Sequence, residues 1–172
     1  MIKSITVYNR FNIDLIAANL KEIPYKHWNL ISISCPDTSI TKNSLVNEKT
    51  KASLESQGCH RILELQFDDA RDDQFEEFLK QGISVTLFTK DQANKIIEFV
   101  KEIQGEVAIS DLVIHCDAGI SRSGAIAEFV SFLYGIPFKD PYTRPNMYVL
   151  RTLWEVVDEQ KAIRRFKDFI SI

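Results

Sequence analysis

Residues 111–124 read DLVIHCDAGISRSG, and the order of residue types in this stretch decides the architecture. Leu112, Val113 and Ile114 form a short apolar run ending at His115 and Cys116. Five residues with one central glycine follow, then Arg122, Ser123 and Gly124 open a segment of helical periodicity. The pattern predicts a buried strand, a tight loop and a helix, the unit from which α/β proteins with a mostly parallel sheet are built.

The chemistry of such a loop follows from its parts. A loop wrapped around a helix N-terminus aims several backbone N–H groups into one small bowl, and the helix dipole adds positive potential there. Phosphate is the natural occupant. The same field is expected to favour the thiolate of Cys116 over the thiol, making it a nucleophile. Arg122 offers a planar fork of donors that matches two phosphate oxygens. Gly119 falls where the loop needs positive φ or close approach to a ligand, and Gly124 is expected to let the helix pack tightly on the strand. Ser123 can donate its hydroxyl to the Cys116 sulfur.

His115-Cys116, five residues and Arg122-Ser123 resemble the signature of the cysteine-dependent protein tyrosine and dual-specificity phosphatases. Rhodanese-like and arsenate-reductase-like cysteine loops match this form less well. The pattern LxLxFDD at 63–69 resembles the acid loop of small bacterial and phage-type members, and Pro145-Asn146 also resembles this group, so the likeness extends from Leu63 to about Leu153. The resemblance implies that Cys116 is a nucleophile, that Arg122 and the backbone of Asp117, Ala118, Gly119, Ile120 and Ser121 hold phosphate, and that Ser123 steadies the departing thiolate. It further implies that His115 tunes Cys116 and that no metal or organic cofactor is needed.

Length and composition set the outer bounds. A chain of 172 residues with 45% hydrophobic content can bury one good core and is short for two domains, so a single domain over 1–172 is expected. A net charge of −3 argues against a nucleic-acid binder or a surface drawn to anionic membrane. With no membrane-length apolar run and no signal-peptide core at the N-terminus, a cytoplasmic protein is expected. Cys35, Cys59 and Cys116 are odd in number, widely spaced and without metal-ligand spacing, which fits a reducing compartment. Cys35 or Cys59 could protect Cys116 as a reversible disulfide if either lies close.

Along the chain, Ile5 and Val7 predict a first strand, and Asn12 or Asp14 a cap for a short helix through Leu20 that Pro24 closes. Leu30, Ile31 and Ile33 predict a second strand ending at Cys35-Pro36. Residues 37–58, rich in Ser, Thr, Asn and Lys, read as an irregular surface segment. Residues 61–67, RILELQF, predict a third strand with Asp68-Asp69 at its end. Ligands of open α/β sheets gather beyond the carboxyl ends of the strands, where this pair and the cysteine loop would meet if the strands run parallel.

Transfer of phosphate to a cysteine needs an acid to protonate the departing oxygen. Asp69 is favoured over Asp68. Asp72 and Asp73 are alternatives, whereas Asp91 is explained by the dipole of the helix it opens. Residues 70–88 read as an insert with a short helix around Phe75, Phe78 and Leu79, then an extended piece at Ile83, Val85 and Leu87. It would form either a wall or lid of the cleft or a peripheral embellishment.

Thr89 and Gln92 form a capping box for a helix whose apolar face is Ala93, Ile96, Ile97, Val100 and Ile103. The helix after Arg122 should stop at Gly135. Asn146 can cap a last helix carrying Val149, Leu150, Leu153, Trp154 and Val157, and Tyr142 and Arg144 lie in the connection before it. The basic tail from Lys161 reads as a packed terminal helix with a wet face.

The expected activity is hydrolysis of a phosphomonoester through a thiophosphoryl-cysteine intermediate. Asp117, Ala118 and Ile120 are not basic, which disfavours polyphosphorylated inositides and RNA triphosphate ends and favours phosphotyrosine on a protein, with or without phosphoserine and phosphothreonine. A phosphatase of a nucleotide, lipid or RNA phosphate, and a phosphate-recognition module without turnover, are the alternatives.

Overall fold

The computed structural model describes residues 1–36, 48–138, 140 and 143–170. Four strands, β1 (Ile2–Asn9), β2 (Trp28–Ser34), β3 (Cys59–Gln66) and β4 (Ser110–Cys116), form an all-parallel sheet in the order β1-β4-β2-β3. Parallel strands need crossovers, and helices supply them. The crossovers carry α1 (Arg10–Ala17), α2 (Glu48–Ser56), α3 (Asp72–Lys80) and α4 (Lys90–Gly105), and α5 (Arg122–Tyr134) and α6 (Met147–Ile170) follow the last strand. The expected α/β architecture, with helices on both faces of a parallel sheet, is the one found.

β4 lies between β1 and β2 and is buried along its whole length, which is why its sequence reads as a nearly unbroken apolar run. Strand alternation then divides it between two cores. Leu112, Ile114 and Cys116 join the larger core under α4, α5 and α6, while Val113 joins the smaller one with Ile13 and Ile16 of α1 and Leu54 of α2. All four strands deliver their carboxyl ends to one edge. Asn9, Ser34, Gln66 and Cys116 therefore end together, and the Cys116 loop and the Asp68-Asp69 pair follow two of them.

Several local expectations need correction. The cap of α1 is Asn9, whose side chain accepts from the Asn12 N–H at 2.9 Å, so Asn12 and Asp14 lie inside the helix, which ends at Ala17 rather than Leu20. Residues 48–56 are helical; α2 buries only Leu54, too little apolar patterning to mark a helix. Residues 37–47 of that predicted irregular segment lie outside the described residues, as does Tyr142. Residues 83–87 join no strand. Instead the Asp68 and Thr86 backbones meet, with Asp68 N–H donating to the Thr86 carbonyl at 2.8 Å, and Ile83 is exposed.

The remaining helices follow their signals. Thr89 and Gln92 form the capping box of α4, and Gly135 ends α5 with φ of +65°. Asn146 caps α6 through its Oδ1, which accepts from the Tyr148 and Val149 N–H groups at 3.0 and 3.2 Å. α6 continues through the tail to Ile170, and which way the side chains after residue 161 face lies outside the described residues.

Candidate active site

The loop from Cys116 to Arg122 is shaped by what its carbonyls do. Those of Asp117, Ile120 and Ser121 are drawn away by the backbone N–H groups of Arg10, Arg144 and Asn146, each at 3.1 Å. Among the described residues no N–H from 118 to 123 has an acceptor. Gly119 makes this path possible. Its φ is +69°, and a Cβ there would stand 2.7 Å from the Asn9 nitrogen and 2.8 Å from the Tyr8 carbonyl, so β1 serves as the loop's backstop. Gly124 has a different neighbour from the one expected. A Cβ there would meet the Thr143 side chain at 3.0 Å, so it admits the connection before α6 rather than the strand.

Cys116 is buried at the base of the loop, with Ser123 Oγ 3.1 Å from its sulfur. Arg122, only 4% exposed, is gripped at its far end. Nη1 donates to the Phe67 carbonyl at 2.7 Å and to Cys35 Sγ at 3.4 Å, and Nη2 donates to Asp117 Oδ2 at 2.6 Å. Burial opposes the Arg122 charge, but the Asp117 hydrogen bond and the thiols of Cys35 and Cys116 hold the guanidinium above its ordinary pKa. Burial likewise works against the Asp117 carboxylate, and the hydrogen bonds from Arg122 and Cys35 more than offset it, leaving its pKa lowered. Nε of Arg122 is buried without a partner. A buried guanidinium N–H and unpartnered backbone N–H groups in one loop are donors of the kind that suits an anion's oxygens.

The two aspartates of the predicted acid loop part company. Asp68 turns back on its own segment, its Oδ2 accepting the Thr86 N–H at 2.8 Å. Asp69 reaches the cysteine loop: its Oδ1 accepts from Ser121 Oγ and from Asn146 Nδ2, both at 2.8 Å. Asp72 and Asp73 pair with Arg151 and Arg71, and Asp91 with Lys95. The structure thus brings together Cys116, Arg122, Ser123 and Asp69, sets Cys35 against Arg122, and adds two groups that sequence reasoning had not placed here, the Phe67 carbonyl and the Ser121 hydroxyl. Of the two other thiols only Cys35 is near. Cys59 starts β3 at the far end of the sheet, where burial pushes its thiol up to about 12.

His115 lies behind the loop, fully buried, with Nε2 2.8 Å from Ser32 Oγ of β2. Burial pulls its pKa down to about 4, with Arg10 and Arg122 acting in the same direction and Asp117 and the Cys116 backbone against them. A folded pKa below the unfolded value of 6.5 means that stability from the neutral imidazole is complete above pH 6.5 and lost as pH falls through 4. At about 1.4 kcal/mol per unit the loss is roughly 3 kcal/mol. Thermal unfolding followed from pH 7 to pH 4 should therefore show a steeper fall for the parent than for His115→Asn. Equal slopes would assign the acid sensitivity to other groups.

Taken together, the parallel sheet, the cysteine loop at its carboxyl edge and the helix that follows define a protein tyrosine phosphatase-like fold. The solved structure of PTPMT1 is similar to the chain over 95% of both chains, with a TM-score of 0.50 and 14% sequence identity. At that identity the likeness concerns the fold. No protein-family model matches the chain, and neither does any curated protein sequence. Among the described residues no helix is long and apolar enough to cross a membrane, and no three His, Cys, Asp or Glu side chains gather as a metal site would require.

Proposed function

We propose that the protein is a cysteine-dependent phosphomonoester hydrolase acting on phosphotyrosine, with or without phosphoserine and phosphothreonine, in protein substrates. The observation that carries this reading is the free, buried Nε of Arg122 together with the unpartnered N–H groups of the loop that begins at the buried Cys116. The fold shared with PTPMT1 is compatible with this reading.

In this reading a phosphate dianion takes the N–H groups of residues 117–122 and the free edge of Arg122. The Cys116 sulfur, as thiolate, attacks phosphorus in line; the S–P bond forms as the P–O bond to the leaving group breaks, and Asp69 passes its proton to that oxygen. Water, deprotonated by Asp69, then attacks phosphorus and returns the electron pair to sulfur, which Ser123 steadies through its hydroxyl. The donors around the equatorial oxygens carry most of the rate enhancement because they are fixed before charge develops. His115, tied to Ser32, holds the strand end from which Cys116 projects.

Substrate choice rests on charge. The carboxylate of Asp117 lies against Arg122 within the loop and lowers the positive potential that several phosphates on one ligand would require. The test is phosphate release, in EDTA, from a phosphotyrosyl peptide, a phosphoseryl peptide, a nucleoside monophosphate and an inositol polyphosphate. Release is expected to be fastest from the phosphotyrosyl peptide. Release only from the nucleotide or inositide would replace the substrate class, and peptide binding without release would make the loop a recognition module.

A further inference from the structure

Asn146 does more than start α6. A cap needs only an acceptor, and serine, threonine or aspartate would supply one. In Asn146 the acceptor is spent on the Tyr148 and Val149 N–H groups, which fixes the amide orientation and turns Nδ2 the other way. There it donates to Asp69 Oδ1 at 2.8 Å and to the Ala70 carbonyl at 3.4 Å. The side chain is buried, so these hydrogen bonds also keep its NH₂ from being stranded. The Asn146 N–H donates to the Ser121 carbonyl at 3.1 Å, while the Ser121 hydroxyl donates to the same Oδ1 of Asp69. Asp69, Ser121 and Asn146 therefore close a ring that joins three segments: the loop after β3, the cysteine loop and the N-terminus of α6.

From this ring we infer that Asn146 is a positioning residue for the general acid, using the rigid start of α6 to hold Asp69 over the cysteine loop. Both donors act on Oδ1, and among the described residues Oδ2 has no hydrogen-bond partner, so Oδ2 is the oxygen that carries the transferable proton. Asp69 itself is exposed and follows a strand end, and α3 just beyond it buries no residue. The buried Phe67 and Ala70 on either side fix the backbone of this turn, and the direction of the exposed carboxylate itself is set by its two donors, Asn146 and Ser121. The inference rests on the proposed function.

The experiment compares Asn146→Ser with the parent on two esters, phenyl phosphate, whose leaving group needs a proton, and 2,4-dinitrophenyl phosphate, whose leaving group does not. Serine keeps the cap of α6 and is too short to reach Asp69. For Asn146→Ser, kcat on phenyl phosphate is expected to fall about 10- to 100-fold with KM little changed, part of the roughly 10²- to 10⁴-fold that a general acid contributes, while kcat on the dinitrophenyl ester stays near the parent value. Ser121→Ala, which removes the other donor to Oδ1, should show a smaller split of the same kind. Equal losses on both esters, or no loss on either, in the two variants would overturn the inference. A parent protein that hydrolyses neither ester would instead bring down the reading of the site on which it stands.

Discussion

Cys116→Ser is expected to remove hydrolysis of para-nitrophenyl phosphate to background, a loss of about 10⁴-fold or more, with EDTA making no difference to the parent. The size follows from the role: the sulfur forms the bond made in the first step and is the group displaced in the second, so the rest of the constellation cannot act without it. The substitution is nearly isosteric, and Cys116 contributes one small side chain to the larger core, so the variant should stay folded and still bind phosphate in the loop. Rate and binding are measured on the same preparation. Activity that survives in Cys116→Ser would mean that the sulfur is not the attacking atom.

Arg122→Lys is the second large effect, and it keeps the charge while removing the fork. The guanidinium spans the Phe67 carbonyl, Cys35 and Asp117 at one end and leaves Nε free at the other. An ammonium cannot do both at once. A loss of about 10²- to 10³-fold in kcat is expected, comparable to removing one preorganised donor from an oxyanion site, or ~3–4 kcal/mol in the transition state. Phosphate affinity should weaken in the same variant, because the fork serves ground and transition states alike. If kcat fell by less than about threefold, Arg122 would be structural and the phosphate would sit on the backbone alone.

The parts of the fold that were legible are those whose residues have one job. Leu112 to Ile114 read as a buried strand because β4 is covered on both faces, and Thr89 with Gln92 read as a helix start because the box is a local exchange of hydrogen bonds. Helix α2 was not legible, since a helix that buries only Leu54 has no periodic face to show. The alternation at Ile83, Val85 and Leu87 belongs to a segment without strand pairing, which leads into the half-buried Leu87 and the buried Phe88. In the site, Cys116 and Arg122 stand out by their spacing. Cys35, the Phe67 carbonyl and the second use of Asn146 depend on where separate strand and helix ends meet, and no sequence spacing records that. Gly124 shows the same limit: its smallness could be read, but not that Thr143 is the group it makes room for.

The place of β1 in the sheet bears on how the molecule is made. Among the described residues β1 is an edge strand paired with β4 alone, and the register that joins Asn9 to Cys116 spans on the order of a hundred residues of chain. During synthesis the N-terminal strand must wait, unpaired, until the cysteine segment has emerged. When it does pair, Tyr8 and Asn9 arrive behind Gly119 and set the bend of the loop. Pairing of β1 with β4 therefore completes that edge of the sheet and brings the backbone behind Gly119 into place in the same contact.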